Sequence, residues 1–403
     1  MMNQGVHTPF DILIVGGGMV GATLALKCQN LPWSVALVDP RNPKQIEKIS
    51  EPRSVADFNP RVSALSLHSE QILTQVGIWS QLAVNRIGTY HRMRVWDAEG
   101  TAELDFKPEL IQRHALGHIV ENRCIEHQLW QTLATSNVEC FTEARVVSAQ
   151  RVGNIWQVSL DNGSDLSCRL LLIADGARSP LRDQLGFQQR RWSYHQTAVV
   201  ATVNHHEPHQ STAWQAFHRS GPLAYLPLPL AHASAIVWSL DQPDADEFLA
   251  LSTAAQARAL TAGIGHRLGH VKVVEQLQSF PLEQQHSIHY IQPGVALLGD
   301  AAHSIHPLAG QGANIGLLDA EAMACVLQDA ARESVSIDEY LLLRRYQRQR
   351  QTHNLATMLA METLKRLFSH RSPAVHLLRN AGMRTFSNHP ALLKAAIRIA
   401  SGI

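Results

Sequence analysis

Three glycines near the start of the chain have the spacing of a diphosphate-binding turn. Gly16, Gly18 and Gly21 lie in the run GGGMVG, directly after an apolar stretch. At this spacing the first glycine permits a tight turn, the second lets the backbone approach a diphosphate, and the third lets a helix pack closely on a strand. The amino end of that helix offers N–H groups and a positive dipole end to the phosphates.

Acidic residues after three apolar runs could bind the hydroxyl groups of the same ligand. Asp39, eighteen residues beyond the third glycine, is placed to accept hydrogen bonds from a ribose. The pairs Asp175-Gly176 and Gly299-Asp300 follow the runs LLLIA and VALL. The first pair also has a purely structural interpretation, as a strand–turn–helix capped by Ser179. The spacing predicts nucleotide binding but does not distinguish NAD from FAD.

A glycine-rich segment between Asp300 and a long helix could face the ring of the cofactor. Backbone N–H groups of such a loop can point at the electron-rich edge of a ring. We expect the ring to rest on residues 307–314. His303 and His306 either shape this loop or take part in proton transfer, and the sequence names no catalytic base. The cofactor-binding candidates here are Pro307, Gly310, Gly312, Ala313 and Asn314, of which Pro307 and Gly312 are the candidates nearest the chemistry.

The elements that hold the first motif follow from hydrophobic periodicity. Phe10–Val15 is predicted to be a buried strand, Met19–Gln29 a helix and Ser34–Val38 a second strand, which together form a βαβ unit. Two alternating runs, Trp156–Leu160 and Leu170–Ile173, are predicted to be strands of a small antiparallel element.

The middle of the chain has a different pattern from its ends. Between about residues 194 and 282 it shows short β-like runs, interrupted by a helical stretch at Phe248–Leu268. This change is typical of a β-rich domain inserted into an α/β chain. Beyond Tyr340 the sequence is helical and shows no clear strand.

The composition is that of an ordinary globular protein. The 403 residues are 45% hydrophobic and 17% charged with a formal net charge of +1, so a nucleic-acid partner is not expected. Five cysteines without a CxxC pair exclude a zinc ribbon or disulfide scaffold and suit a reducing cytosol. The 22 histidines include no HExxH, and no metal is expected. Without a leader-like or membrane-spanning run, the chain is predicted to be cytoplasmic.

In this order and at these separations, the motifs resemble those of the FAD-dependent aromatic hydroxylases, the flavoprotein monooxygenases typified by para-hydroxybenzoate hydroxylase. The resemblance implies that the first glycine motif binds the ADP half of FAD. It implies that Asp175-Gly176 contacts FAD and NAD(P)H, and that Gly299-Asp300 binds the ribityl chain. It also places Arg61 and Asn122 where the family contacts FAD. The absence of a second Gly-x-Gly-x-x-Gly favours these hydroxylases over reductases with two Rossmann domains.

Longer segments are similar to the ubiquinone-biosynthesis branch of this family, which hydroxylates polyprenylated phenols or quinols. They include RVSALSLHSEQILTQVGIW, GHIVEN, GPLAYLPL and GDAAHSIHPLAGQGANIGLLDAEA. The similarity implies that NAD(P)H reduces FAD, that the reduced flavin captures O₂ as the C4a-hydroperoxide, and that the electron-rich ring takes up the distal oxygen. Two alternatives stay open: a flavin oxidase or dehydrogenase of another substrate, and a non-catalytic flavoprotein subunit of a biosynthetic complex. The ring carbon that is hydroxylated stays open too.

Together these features predict an α/β fold with a Rossmann-like FAD-binding domain of the glutathione-reductase type. A β-rich substrate domain is inserted into it, and a C-terminal helical segment follows. The predicted ranges are 8–87, 116–182 and 285–339 for the FAD-binding domain, 88–115 and 183–284 for the substrate domain, and 340–403 for the helical segment.

Two further features each allow two interpretations. Trp214, Phe217 and Tyr225 either line an apolar pocket for the prenylated substrate or form the core of their own sheet. Between residues 340 and 403, eleven Lys and Arg residues stand against one acid, Glu362. The amphipathic helix in this region either packs on the FAD-binding domain with a solvated basic face, or makes a peripheral contact with the inner face of an anionic membrane or with other ubiquinone-pathway proteins.

Overall fold

The computed structural model describes residues 8–45, 49–304, 311–370 and 372–402. Within these ranges the chain forms three β-sheets and ten α-helices. The strands are β1 Phe10–Val15, β2 Val35–Asp39, β3 Val62–Leu65, β4 Ile87–Tyr90, β5 Arg92–Asp97, β6 Glu103–Phe106, β7 Gly117–Glu121, β8 Glu139–Thr142, β9 Val146–Val152, β10 Ile155–Leu160, β11 Asp165–Ile173, β12 Gln189–His205, β13 Thr212–His218, β14 Gly221–Pro227, β15 Ala233–Asp241, β16 Val271–Val273, β17 Gln278–Ser287, β18 Ile291–Gln292, β19 Val295–Leu297 and β20 His303–Ser304. The helices are α1 Met19–Cys28, α2 Leu67–Gln75, α3 Asn122–Leu133, α4 Pro180–Gln184, α5 Gln242–Ala250, α6 Thr253–Gly263, α7 Gln311–Glu333, α8 Tyr340–Ser369, α9 Pro373–Ser387 and α10 Pro390–Ser401.

The first sheet has a parallel core in the order β19-β11-β1-β2-β8. All five residues of β2 are buried, as expected of a parallel strand enclosed on both faces. Helix α1 connects β1 to its parallel neighbour β2, so the predicted βαβ unit is confirmed. The carboxyl ends of β1, β2, β11 and β19 therefore meet at one edge, where an open α/β sheet binds its ligands.

Strand β11 differs from the prediction. Trp156 lies opposite Cys168 in an antiparallel ladder, but Leu170–Ile173 pair in parallel with β1 and do not belong to an antiparallel element. The reason is the length of β11, because its first residues have β10 as neighbour and its last residues lie between β1 and β19. The last residues consequently carry the Asp-Gly pair that follows into the parallel core.

The second sheet has the order β20-β17-β12-β15-β14-β13-β5-β6 and is antiparallel except where β13 pairs with β5. Helices α5 and α6 cover one face of it and share its core. The helical stretch predicted at Phe248–Leu268 is in fact two helices. The break occurs before α6, where the Ser252 side chain accepts a hydrogen bond from the N–H of Ala255 and starts a new helix.

A small third sheet, β3-β7-β4, contacts both larger sheets with their helices. Strand β3 contacts α7, which packs on the first sheet, and β4 contacts β14 of the second sheet. At the end of β7 the buried Glu121 carboxylate accepts hydrogen bonds from Arg86, from Arg123 and from the N–H of Asn59. This carboxylate fixes the segment that leads to Arg61, because it holds the backbone two residues earlier.

The C-terminal helices divide between the two larger units. Near its start, α8 buries Leu342, Leu343 and Tyr346 in the core of the first sheet. The end of α8 and helix α9 pack against the second sheet, where Phe368 and Met383 share a cluster with strand residues. The start of α8 therefore packs on the first sheet, whereas the end of α8, which carries the predicted amphipathic face, and α9 pack on the second sheet. None of the helices within the described ranges is long and apolar enough to cross a bilayer.

Candidate cofactor and substrate site

A cavity of about 620 Å³ lies at the carboxyl edge of the first sheet, and we call it the cofactor cavity. Its lining comes from all three sequence motifs and from α3, which are far apart in the chain. The predicted residues that line it are Gly16, Gly18, Asp39, Asn122, Asp175, Gly176, Asp300, Gly312 and Ala313.

The glycines around this cavity fit a bound dinucleotide. A Cβ atom on Gly18, Gly176 or Gly312 would meet no atom of the described residues within 4 Å, so their backbones leave space in which a ligand can approach. Gly16 has a φ of +101°, and a Cβ on Gly21 would lie 1.9 Å from the carbonyl oxygen of Gly16. Gly21 therefore acts as the packing glycine of the motif and does not line the cavity.

Asp39 lies at the end of β2, as predicted, with its side chain almost fully buried. Its carboxylate accepts hydrogen bonds from the N–H of Gly17 at 2.6 Å and from the backbone and guanidinium of Arg41 at 2.8–3.2 Å. Asp39 thus fixes the glycine turn against the second strand. Its contact with a ribose stays a prediction.

Asp175 carries a polar atom that fits a ligand. Its Oδ1 is buried and has no hydrogen-bond partner among the described residues, although the carboxyl lines the cofactor cavity. Burial raises the pKa of Asp175 from 3.8 to about 6, with Ser179 and Arg182 opposing the shift. An acceptor left unpaired at this place is suited to a donor that arrives with the cofactor or with NAD(P)H.

Replacing Asp175 by asparagine is expected to stabilise the FAD-free protein at neutral pH. The pKa of the Asp175 carboxyl is about 6 in the folded protein and 3.8 in the unfolded chain. Its contribution to the free energy of unfolding is therefore fully present below pH 3.8 and is lost as the pH rises through 6. The loss approaches about 3 kcal/mol, because each pKa unit corresponds to about 1.4 kcal/mol. Thermal unfolding of both FAD-free proteins between pH 4.5 and pH 8 measures this. Parallel pH profiles for the wild type and Asp175→Asn would contradict it.

Asp300 follows β19 and faces the same cavity, where its side chain is accessible. The protein that surrounds it nevertheless raises the pKa of the Asp300 carboxyl, with His303 opposing and Asp319 adding to the shift. A group that is disfavoured as a free anion gains from hydroxyl donors. The contact of Asp300 with a ribityl chain stays a prediction.

Asp319 on α7 is a residue that the sequence analysis missed. It is fully buried and accepts hydrogen bonds from the N–H of Gly299 at 2.9 Å, from His303 Nε2 at 2.5 Å and from Arg350 Nε at 2.6 Å. Burial alone would raise its pKa, but His303 and Arg350 lower the pKa of Asp319 to about 2. An acid within the apolar run of α7 was the signal available in the sequence.

The hydrogen bonds of Asp319 connect the residues on either side of the loop expected to face the flavin ring. They join Gly299, which precedes the loop, to Asp319 of α7, which follows the loop, and to Arg350 of α8. His303 is buried with its Nε2 on Asp319, which supports the interpretation that it shapes the loop. Pro307, Gly310 and His306 lie outside the described residues.

Asn314 lies one turn into α7, and its side chain contacts residues of β3 and α2. Its Oδ1 accepts hydrogen bonds from the N–H of Ser66 and the hydroxyl of Ser69, and its Nδ2 donates to the carbonyl of Ala64. Asn314 therefore ties the start of α7 to β3 and α2. A direct contact with FAD stays a prediction.

A second cavity of about 210 Å³ lies on the open face of the second sheet, and we call it the ring pocket. Arg61 lines it, with its guanidinium 5.2 Å from the centre of the Phe280 ring, and does not line the cofactor cavity. Asn122 lines both, and its Oδ1 accepts the hydroxyl hydrogen of Ser63. Asn122 thus marks where the ring pocket adjoins the cofactor cavity.

The three predicted substrate residues lie on different faces of the second sheet. Tyr225 is fully buried and donates to the carbonyl of Leu260, and Trp214 packs edge to face with Trp96. Both belong to the core beneath α5 and α6. Phe217 faces the other side, because residues 214 and 217 differ by an odd number and a strand has a period of two. Gln215 shares that side, lines the ring pocket and was missed by the sequence analysis.

Phe217 lines a third cavity, of about 640 Å³, between the second sheet and the C-terminal helices. We call it the apolar cavity. The Phe217 ring stacks on Phe368 of α8 at a centroid distance of 4.0 Å. Gln215 lines both this cavity and the ring pocket, so the cofactor cavity, the ring pocket and the apolar cavity form a series.

Comparison with known proteins identifies the family of the chain. A family model described as an FAD binding domain matches residues 9–360. The chain belongs to this family. It is 33% identical to the 3-demethoxyubiquinol 3-hydroxylase of Escherichia coli (strain K12), with 100% of both chains covered. It is 32% identical to the mitochondrial ubiquinone biosynthesis monooxygenase COQ6 of Danio rerio, over 97% of this chain and 90% of that protein.

Among solved structures, the p-nitrophenol 4-monooxygenase PnpA from Pseudomonas putida DLL-E4 matches with a TM-score of 0.77 and 19% identity, over 97% of each chain. At this identity the likeness concerns the fold. The predicted α/β FAD-binding fold and the cofactor FAD are thereby confirmed. The protein is an FAD-dependent monooxygenase, a class in which NAD(P)H is the co-substrate. The predicted domain boundaries stay predictions.

Proposed function

We propose that the protein hydroxylates the ring of a polyprenylated phenol or quinol in ubiquinone biosynthesis, with NAD(P)H and O₂ as co-substrates. The observation that carries the proposal is the ring pocket, which adjoins the cofactor cavity at Asn122 and continues into the apolar cavity at Gln215. A substrate ring with a long apolar substituent needs a pocket next to the cofactor that opens into an apolar cavity. The names of the two relatives, both matched over nearly their whole length, support the same substrate class.

When bound, FAD supplies the transfer of one oxygen atom from O₂, and the side chains hold and shield the reactants. Apolar residues of the open sheet face surround the ring pocket and exclude water from it, which limits wasteful reduction of O₂. Gln215 is the polar side chain at the far end of that pocket, where it can hydrogen-bond a ring oxygen. The apolar lining residues include Val200, Leu226, Val237, Phe280 and Leu282.

Isotope incorporation tests the proposal. Purified FAD-loaded protein is incubated with NAD(P)H, ¹⁸O₂ and a demethoxyquinol that carries two isoprene units. The expected product contains one ¹⁸O atom, and one NAD(P)H is oxidised per product while the second oxygen atom leaves as water. Oxidised substrate without ¹⁸O would indicate a flavin oxidase or dehydrogenase instead. Absence of NAD(P)H consumption with every phenol or quinol tested would indicate a non-catalytic flavoprotein.

We further propose that the C-terminal helices bind the surface of an anionic membrane, where a prenylated substrate resides. Large apolar side chains are exposed on all three helices, among them Leu359, Leu377 and Ile399 at 69%, 74% and 80%. Exposed basic residues, including Arg348, Arg366 and Arg398, accompany them. Exposed apolar side chains next to basic ones are typical of interfacial helices.

Replacing Leu377 and Ile399 together by aspartate is expected to abolish binding to vesicles that contain phosphatidylglycerol. The changes remove apolar surface and add negative charge at an anionic interface. Flotation with phosphatidylglycerol or phosphatidylcholine vesicles measures binding. Val84→Asp, on a residue 85% exposed outside this region, is the matched control. Equal flotation of the double variant and the wild type would favour a protein partner for these helices.

A further inference from the structure

We propose that the apolar cavity binds the isoprenoid tail of the substrate and that its mouth opens among the exposed leucines of α8 and α9. This inference rests on the proposed function, since it assigns a tail to the same substrate. With about 640 Å³ the cavity falls within the size range of ligand sites, roughly 300–1,000 Å³. An elongated hydrocarbon is the occupant that its chemistry fits.

The inner end of the cavity meets the site of chemistry. Gln215 is common to the cavity and the ring pocket. Ser66 and Asn314 line the same end, and Asn314 directly follows Gly312 and Ala313 of the cofactor cavity. A substrate whose ring occupies the ring pocket would therefore have its substituent directed into the apolar cavity.

The walls of the cavity are apolar along its length. The second sheet and the C-terminal helices contribute them from opposite sides. No lining residue beyond the inner end carries a charge among the described residues except Arg379, whose guanidinium is held by Asp97. The apolar lining includes Met93, Val95, Leu104, Phe106 and Phe217 from the sheet and Met361, Phe368, Met383, Phe386 and Ile397 from the helices.

The outer end is marked by residues that both line the cavity and reach solvent. Leu364 and Leu367 of α8 are 37% and 38% exposed, and Leu378 of α9 is 73% exposed. An exposed leucine cluster at a cavity mouth is unfavourable in water unless something apolar covers it. A tail that enters from the membrane would pass between these side chains and reach the ring pocket without crossing water.

Filling the cavity from α10 tests the assignment. Ala396 lines the cavity and Ala395, its neighbour on the same helix, is exposed and does not line it. Turnover is measured with the quinol ring carrying no, one, two or three isoprene units. In the wild type kcat/KM is expected to rise at least tenfold with tail length. Ala396→Phe is expected to lose this rise while keeping turnover of the tail-less ring, whereas Ala395→Phe keeps both.

The tail-length series separates failure of this inference from failure of the proposed function. Hydroxylation with a kcat/KM independent of tail length, or an equal loss for all substrates in Ala396→Phe, would overturn the inference alone. Absence of hydroxylated product at every tail length would overturn the proposed function.

A binding measurement decides the inference without turnover. A quinone analogue with a diazirine at the end of a two-isoprene tail is photolysed with FAD-loaded protein, and the labelled peptides are identified by mass spectrometry. Labels are expected within 361–368, 378–386 and 396–401, and they should be lost in Ala396→Phe. Labels elsewhere, or unchanged labelling of that variant, would contradict the assignment.

Discussion

Replacing Asp300 by alanine is expected to give a protein that purifies largely without FAD. Asp300 lies at the end of β19 in the cofactor cavity, and the FAD-binding family has been established for this chain. A hydrogen bond to a charged group contributes about 1.5–3 kcal/mol, so the Kd for FAD should rise roughly 10- to 150-fold. Flavin absorbance relative to protein concentration, followed by titration with FAD, measures the loss.

Controls for this variant follow from the structure. The surroundings of Asp300 raise the pKa of its carboxyl, so its removal should not destabilise the FAD-free fold. Asp300→Asn keeps one acceptor oxygen and should retain more FAD than the alanine variant. Asp183→Ala, at a side chain 54% exposed, should leave the FAD content unchanged. A stoichiometric FAD content in Asp300→Ala would refute the assignment of Asp300 to the ribityl chain.

Replacing Arg379 by methionine is expected to release α9 and α10 from the second sheet. Arg379 donates two hydrogen bonds to Asp97, at 2.8 and 2.5 Å, and both side chains are 1% exposed. It also donates to the carbonyls of Leu367 and Phe368 at the end of α8. Removing one partner leaves a buried charge unpaired, which costs about 3–5 kcal/mol. Hydrogen exchange should show lost protection in α9, α10, β5 and β6.

The double variant Asp97→Asn/Arg379→Met distinguishes the charge effect from loss of packing. It should recover part of the stability, because no unpaired charge stays buried. Arg384→Met, at an exposed position of the same helix, should behave as the wild type. Since the same helices wall the apolar cavity, Arg379→Met should also lose the gain in kcat/KM from a longer tail. Unchanged protection of α9 would show that the ion pair does not anchor it.

Local sequence patterns were sufficient to predict those parts of the fold that one short segment of the chain forms. The βαβ unit and the glycine turn could be predicted because strand, turn and helix are adjacent in the chain, and the turn needs a glycine at a φ of +101°. The cap at Ser179 is likewise local, with its side chain accepting the N–H of Arg182.

Contacts between distant segments were not predictable in the same way. Arg379 and Asp97 are separated by 282 residues, and neither has a neighbour in the sequence that indicates the other. Asp319 could be suspected from its apolar surroundings, but its partners lie on a short strand and on α8. The period of two in a strand is enough to predict that Trp214 and Phe217 lie on opposite faces of the sheet. The sequence does not show which face is buried, because that depends on where α5 and α6 pack.

The sequence by itself determined that the chain binds a nucleotide, through the glycine turn and the acid that follows β2, and its resemblance to the aromatic hydroxylases implied FAD and the class of enzyme. The tertiary structure decided which distant residues line each cavity. It brought the cofactor cavity, the ring pocket and the apolar cavity into a series and laid α9 on the second sheet. The reason is physical: a turn depends on backbone angles within a few residues, but a cavity is the space left when distant segments pack together.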